Sequence, residues 1–222
     1  MPHNILAIET ATAVCSVALR LDGQEAKELK QVGTGIHSEM VFVFTDELIN
    51  NSGIELTDLD GIILSAGPGS YTGLRVGSSA VKGMLFGSNV NFYAANTLSA
   101  IGMGAKKKHP EAKRIHAVLD ARRKHLYHQA FVFDEGRPLS EGENSIKPLT
   151  DFGPIIKEND LIAGTGIERL ASEVYRNSRT VGDEVISAVN LIELFDLWHT
   201  QQHSPQASLI KKVAPEQFEP YY

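Results

Sequence analysis

The 222-residue chain reads as an α/β protein built from two similar halves. Apolar, alternating runs are interleaved with segments of helical period, the pattern of sheets flanked by helices. The order strand, strand, strand, helix, strand, Gly-containing loop, helix occurs twice. The first strand of each round ends on a carboxylate, Glu9 and Asp120, and the two strands start 110 residues apart, at Ile5 and Ile115. Such spacing signals internal duplication.

The elements follow in order. Ile5–Glu9 and Cys15–Leu21 are apolar strands, and Asp22-Gly23 turns the second into a polar third, Gln24–Val32. Ser38–Asn51 has helical period and ends at Ser52-Gly53, where glycine suits a left-handed cap. Gly61–Ser65 is a short buried strand, Gly67-Pro68-Gly69-Ser70 a loop, and Thr72–Phe86 a helix. A strand over Val90–Ala95 and a helix over Leu98–Lys107 close the first round. The second has strands over Ile115–Asp120, Leu126–Phe133, Leu139–Ile146 and Asp160–Ala163. A short helix after Thr150, one opened by Gly164-Thr165-Gly166 and reaching Asn177, and a last one over Glu184–Gln201 are predicted. The predicted architecture is two tandem ribonuclease H-like (actin-like, ASKHA) lobes, mixed sheets flanked by helices, over residues 1–108 and 109–222.

Composition narrows the function. The net charge of −6 disfavours unaided nucleic-acid binding, which rests on phosphate neutralisation. No apolar run reaches the ~18 residues of a bilayer span. Met1-Pro2-His3-Asn4 has no basic flank and Glu9 interrupts the first apolar run, so no secretory signal is read. Cys15 stands alone, which excludes an intrachain disulfide and fits a cytoplasmic home.

Leu6–Thr12 followed by Cys15–Leu19, His37-Ser38-Glu39, the stretch Ala66–Gly77 (AGPGSYTGLRVG), and Leu119–Arg123 with Tyr127 together resemble the TsaB (YeaZ-like) family. The match is dense over residues 4–131. The sequence departs at Glu9, where the family usually has Asp, a change that keeps the charge. The resemblance implies a non-catalytic bacterial subunit of the machinery that makes threonylcarbamoyladenosine at position 37 of tRNAs reading codons that start with A. It further implies a heterodimer with the metal-bearing catalytic paralogue TsaD, a role for the ATPase TsaE, and a homodimer when the chain is alone. No cofactor of its own is expected. tRNA is expected to be met through the complex or only weakly.

The residues bear on this independently. A catalytic metal of the TsaD type uses two histidines four apart on a helix; here His37 is followed four residues on by Val41. His125 and His128 lie at odd separation on a strand and face opposite ways. His199 and His203 have helical spacing but no intervening glutamate. Gly67, Gly69 and Ser70 form a strand-to-helix turn in which free amides and the helix dipole attract anions, leaving contact with ATP or ADP open. It has neither Walker nor dinucleotide spacing. Glu9, Thr10 and Asp120 complete the candidate nucleotide or anion cleft of an alternative reading, a nucleotide-dependent kinase or ATPase of actin-like fold. Arg122 and Arg123 would pair Asp120 instead.

The helix Ser38–Asn51 carries more apolar residues than one packed face requires. Met40, Val41, Phe44 and Leu48 form the core stripe, whereas Phe42 and Ile49, seven apart, fall on another side. On Thr72–Phe86, Gly73, Gly77, Ala80 and Met84 line one side, flanked by Leu74 and Val81, and the small residues invite another backbone. Met40, Phe42, Val43, Ile49, Gly73, Leu74, Gly77, Ala80, Val81 and Met84 are therefore the predicted partner or dimer interface. Residues 106–125 hold eight Lys or Arg against Glu111 and Asp120, a net of +6. That run reads first as a solvated helix end and turn, and second as a weak tRNA contact.

Overall fold

The computed structural model describes residues 4–134, 136–200 and 209–221. They form two compact units, one of residues 1–97 with 187–222, the other of residues 98–186.

In the first unit, β1 (Ile5–Glu9) is wholly buried and central, which is why its apolar run is nearly unbroken. It pairs antiparallel with β2 (Val14–Arg20), which pairs antiparallel with β3 (Lys27–Val32). On its other side β1 pairs in parallel with β4 (Gly61–Ser65), and β4 in parallel with β5 (Asn91–Ala95). Helix α1 (His37–Ser52) ends at Gly53, left-handed at φ 66°, as the sequence predicts. Helix α2 (Tyr71–Leu85) starts at Ser70, whose hydroxyl accepts from the Gly73 N–H at 3.3 Å. Leu6, Ile8, Val17, Val41, Ile62 and Val81 belong to one buried cluster beneath both helices.

The second unit contains α3 (Thr97–Lys108) from Leu98 onward, then β6 (Arg114–Asp120), β7 (His125–Asp134), β8 (Arg137–Pro148), β9 (Leu161–Ala163) and β10 (Arg179–Val181). Its sheet runs β8-β7-β6-β9-β10, the first two pairings antiparallel and the last two parallel. The first sheet runs β3-β2-β1-β4-β5, then one added strand. The shared order makes the predicted duplication real: these are two ribonuclease H-like, actin-like lobes.

Three expectations need correction. The helix expected from Gly164 to Asn177 is a single 3-10 turn, Thr165–Arg169, followed by turns closed by Val174 N–H to Ala171 O and Ser178 N–H to Tyr175 O. Ser172, Asn177 and Ser178 favour such turns, and Leu170 and Val174 still pack over Phe152. The helix after Thr150 is likewise one 3-10 turn, Leu149–Asp151. The last helix, α4 (Val189–Thr200), starts later than Glu184 because the Ser187 hydroxyl takes the Val189 N–H at 3.1 Å.

The expected boundary at residue 108 also differs from the observed units. α4 and β11 (Ile210–Val213) return to the first unit, β11 pairing antiparallel with β5 and covering what would be an apolar sheet edge. Trp198 is half-buried against Tyr93 and Phe195. No helix among the described residues is long and apolar enough to cross a membrane.

Candidate functional site

Helices α1 and α2 lie side by side on the first sheet. Their outward faces form a groove of about 390 Å³ lined by Ser38 and Phe42 from α1 and by Tyr71, Arg75, Val76 and Ser79 from α2. Phe42 is 48% exposed, Val43 44% and Tyr71 51%, where a solvated helix would carry polar side chains. The Arg75 guanidinium lies 4.3 Å from the Tyr71 ring centroid and holds that ring at the groove wall. Contiguous apolar surface of this kind marks a protein, membrane or ligand contact more often than plain solvent-facing helix.

Phe42 and Val43 occupy the predicted interface, and Met40 and Met84 are partly buried at the edge of the core cluster. Ala80, though buried, also lines the groove, and the other predicted residues lie inside the chain. Ile49 is a core residue, 7% exposed. Seven residues fall about 20° short of two helical turns, and Ile54 and Leu56, on the chain leaving α1, pack against the same cluster. Gly73, Leu74, Gly77, Ala80 and Val81 are buried within this chain. A Cβ at Gly73 would lie 2.0 Å from the Thr10 carbonyl oxygen, and one at Gly77 2.4 Å from Thr10 Oγ1. The small residues do admit another backbone, but it is that of the turn after β1. Tyr71 and Arg75 were absent from the predicted set; their i, i+4 spacing at the start of α2 is the signal that could have found them.

The candidate anion cleft divides between the two units. Glu9, Thr10, Gly67, Gly69 and Ser70 come together at the ends of β1 and β4, whereas Asp120 belongs to the second unit. Three amides at this turn are engaged within the chain. Gly67 N–H donates to Thr97 Oγ1 (3.2 Å), Ser70 N–H to the Ala11 carbonyl (2.6 Å) and Gly73 N–H to Ser70 Oγ. A Cβ on Gly67 would meet the Tyr221 carbonyl oxygen at 1.9 Å, and one on Gly69 the Ala11 carbonyl oxygen at 2.3 Å. The glycines thus serve this chain's own close packing. Tyr221 lies over the loop, its N–H donating to the Ala66 carbonyl (3.0 Å) and its phenol pushed up to about 12 by burial.

Glu9 is 1% exposed, and Oε1 accepts from the Ala11 N–H at 2.6 Å. Burial pushes its carboxyl up to about 7 against the opposing pull of that hydrogen bond, of Ser65 and of Lys30. It also helps burial raise the Cys15 thiol to about 12. Asp120 does form an ion pair, but not with its neighbours' side chains. Its Oδ1 accepts from Arg169 (2.6 Å) and from the backbone N–H of Arg122 (2.7 Å).

Among the described residues no group of three His, Cys, Asp or Glu side chains is placed to hold a metal ion. His37 is buried with Nε2 3.3 Å from the Val14 carbonyl oxygen. His203, half of the proposed helical pair, lies outside the described residues, and His199 stacks on Phe195. His125 is exposed and His128 buried, as their odd spacing predicts. One cluster escaped sequence reasoning: His116 Nδ1 lies 2.9 Å from His128 Nε2, and its Nε2 3.0 Å from Asp160 Oδ2. Burial lowers both imidazoles, His128 to about 3, partly through the charge of His116.

Two sheets of shared strand order flanked by helices define the class of actin-like proteins. Residues 31–148, more than half of the chain, match the family described as "TsaD: tRNA N6-adenosine threonylcarbamoyltransferase". The chain belongs to that family, in its TsaB (YeaZ-like) branch. It is 26% identical to a Haemophilus influenzae protein named tRNA threonylcarbamoyladenosine biosynthesis protein TsaB, over 95% of this chain and 92% of that one. An Escherichia coli protein of the same name is 34% identical over 60% of this chain and 56% of its own. The fold matches that of YeaZ from Pseudomonas aeruginosa with a TM-score of 0.82, at 24% identity and 99% coverage of both chains.

Proposed function

We propose that this chain is a cytoplasmic, non-catalytic subunit in the synthesis of threonylcarbamoyladenosine at position 37 of tRNAs reading codons that start with A. It holds the catalytic subunit TsaD through the α1–α2 groove and works with TsaE. When alone it pairs with a second copy through the same face, an isologous contact. It carries no cofactor; the metal resides in TsaD, and tRNA is met through the complex. The carrying observation is the exposed Phe42, Val43 and Tyr71 surface across two packed helices. The names of the H. influenzae and E. coli relatives support the pathway. Against the kinase or ATPase alternative stand the burial of Glu9 and the engagement of the Gly67 and Ser70 amides within the chain.

The test is Phe42→Asp and Val43→Asp. Neither side chain supports the core, so each variant folds with an unchanged melting temperature. Each loses roughly 30-fold or more in affinity for TsaD, the scale of an interface hot spot, and modified adenosine formation falls with it. Unchanged affinity in both variants would remove the groove from the interface. Turnover of ATP by the purified chain that vanishes in Glu9→Ala would favour the enzyme instead.

A further inference from the structure

β6 and β7 are joined by a short connection in which Arg122 and Arg123 both adopt left-handed backbone, at φ 68° and 53°. Glycine or asparagine occupies such positions at low cost, whereas a long branched-free side chain gains nothing from them locally. The strained turn is clamped from behind. Asp120 accepts the Arg122 N–H, and Arg169 bridges Asp120 Oδ1 and the carbonyl of Arg123. The nearest carboxylate is therefore neutralised by a third arginine. Arg122, Arg123 and Lys124 remain exposed at the tip, and among the described residues neither of the first two guanidiniums has a partner. Much of the surrounding basic run is engaged: Lys106 Nζ meets the Pro110 and Ala112 carbonyls, Lys108 pairs with Glu184, and Arg114 with Glu141. The Arg122 and Arg123 guanidiniums are not so engaged among the described residues.

We propose that the Arg122–Lys124 turn is a contact for the phosphate backbone of RNA. It rests on the proposed role in tRNA modification and adds to it a tRNA contact made by this chain itself. Two forked guanidiniums on consecutive residues suit phosphate oxygens. The exposed residues 122–125 carry only charged or polar side chains, whereas the core of a protein interface is built on aromatic and apolar groups. With a chain charge of −6, the contact is local and adds to RNA affinity supplied by a partner.

Replacing Arg122→Asn together with Arg123→Gly removes both charges and leaves residues that favour left-handed backbone, so the variant folds at least as well as the parent. Binding of unmodified tRNA is measured by filter retention for the chain alone at low salt and for its complex with TsaD, across a salt series. The expected result is weaker binding in both arms, by roughly tenfold in the complex, with the slope of log affinity against log salt reduced by about 1.5. Equal affinity and slope for parent and variant overturn the contact. So does a variant that loses TsaD while retaining tRNA, since the turn then docks protein. Loss of TsaD binding in Phe42→Asp is read separately, so a failed subunit assignment and a failed RNA contact have different signatures.

Discussion

Glu9 and Asp120 occupy the same place in their two sheets, at the end of the strand that begins each one. Glu9 is sealed from water, hydrogen-bonded by one amide and pushed to about 7 by burial. The Asp120 side chain is 41% exposed and lies 2.6 Å from the Arg169 guanidinium. The loops that follow the fourth strands differ too. Gly67–Ser70 leads into a 15-residue helix, Gly164–Gly166 into a single 3-10 turn. Duplication therefore sets where a residue stands, and burial sets what it does. The first half, with two adjacent long helices, presents the apolar groove.

The sharpest test of that contrast is steric. Gly73→Ala would push a methyl onto the Thr10 carbonyl oxygen, 2.0 Å away, and a backbone atom in a central turn cannot yield. A loss of about 3 kcal/mol or more is expected in denaturant unfolding. In the second half, a methyl on Gly166 meets Val118 C and Leu119 N at 3.0 and 3.1 Å, so Gly166→Ala costs less, about 1–2 kcal/mol. Gly83, on the open side of α2 with nothing within 4 Å, is the control: Gly83→Ala stabilises by about 0.5–1 kcal/mol. Equal losses at Gly73 and Gly166 would show that the two loops are packed alike.

The halves also respond oppositely to pH. Glu9 binds its proton more tightly folded than unfolded, so its contribution is complete below about 4.5 and is lost as pH rises through about 7. The loss is about 3 kcal/mol. Glu9→Gln abolishes it, stabilising β1 at pH 8 and leaving it unchanged at pH 4.5, as read by amide exchange. In the second half, folded His128 titrates near 3 against an ordinary 6.5, so its neutral form is favoured and stability falls as pH drops below 6.5. β6 and β7 amides, corrected for intrinsic rates, should exchange at least tenfold faster at pH 4.5 than at 7. His128→Gln, which keeps a partner for His116 and does not titrate, flattens that slope. Slopes of the same sign in both halves would contradict the contrast.

The strand order was legible because it depends on local alternation and on a repeat visible in one dimension. Helical period set Phe42 outside the core stripe of α1, but it set Ile49 there too, and Ile49 is core. What escaped depends on contacts distant in sequence. The partner of the Gly73–Gly77 face is Thr10, more than sixty residues away, and only the fold shows that this chain supplies the close-packed backbone. His116 meets Asp160 across 44 residues. β11, with two lysines in four residues, has weak strand character and exists because β5 offers an open edge. The segment after Gly164 has apolar spacing fit for a helix, but its serines and asparagine close turns first.

Asp120→Asn has the smallest expected effect. An exposed pair with arginine contributes little, because water solvates both charges nearly as well apart, so a loss below about 1 kcal/mol is expected and should shrink in high salt. The amide retains an oxygen for the Arg122 N–H, which keeps the turn closed while weakening the hold of Arg169. The corresponding change in the first half, Glu9→Gln, stabilises at alkaline pH, because there the charge has no water to lose it to. Two like-placed carboxylates whose amide substitutions move stability in opposite directions would separate position from environment. A large loss at Asp120 would mean that the clamp behind the arginine turn carries more of the second half than its exposure allows.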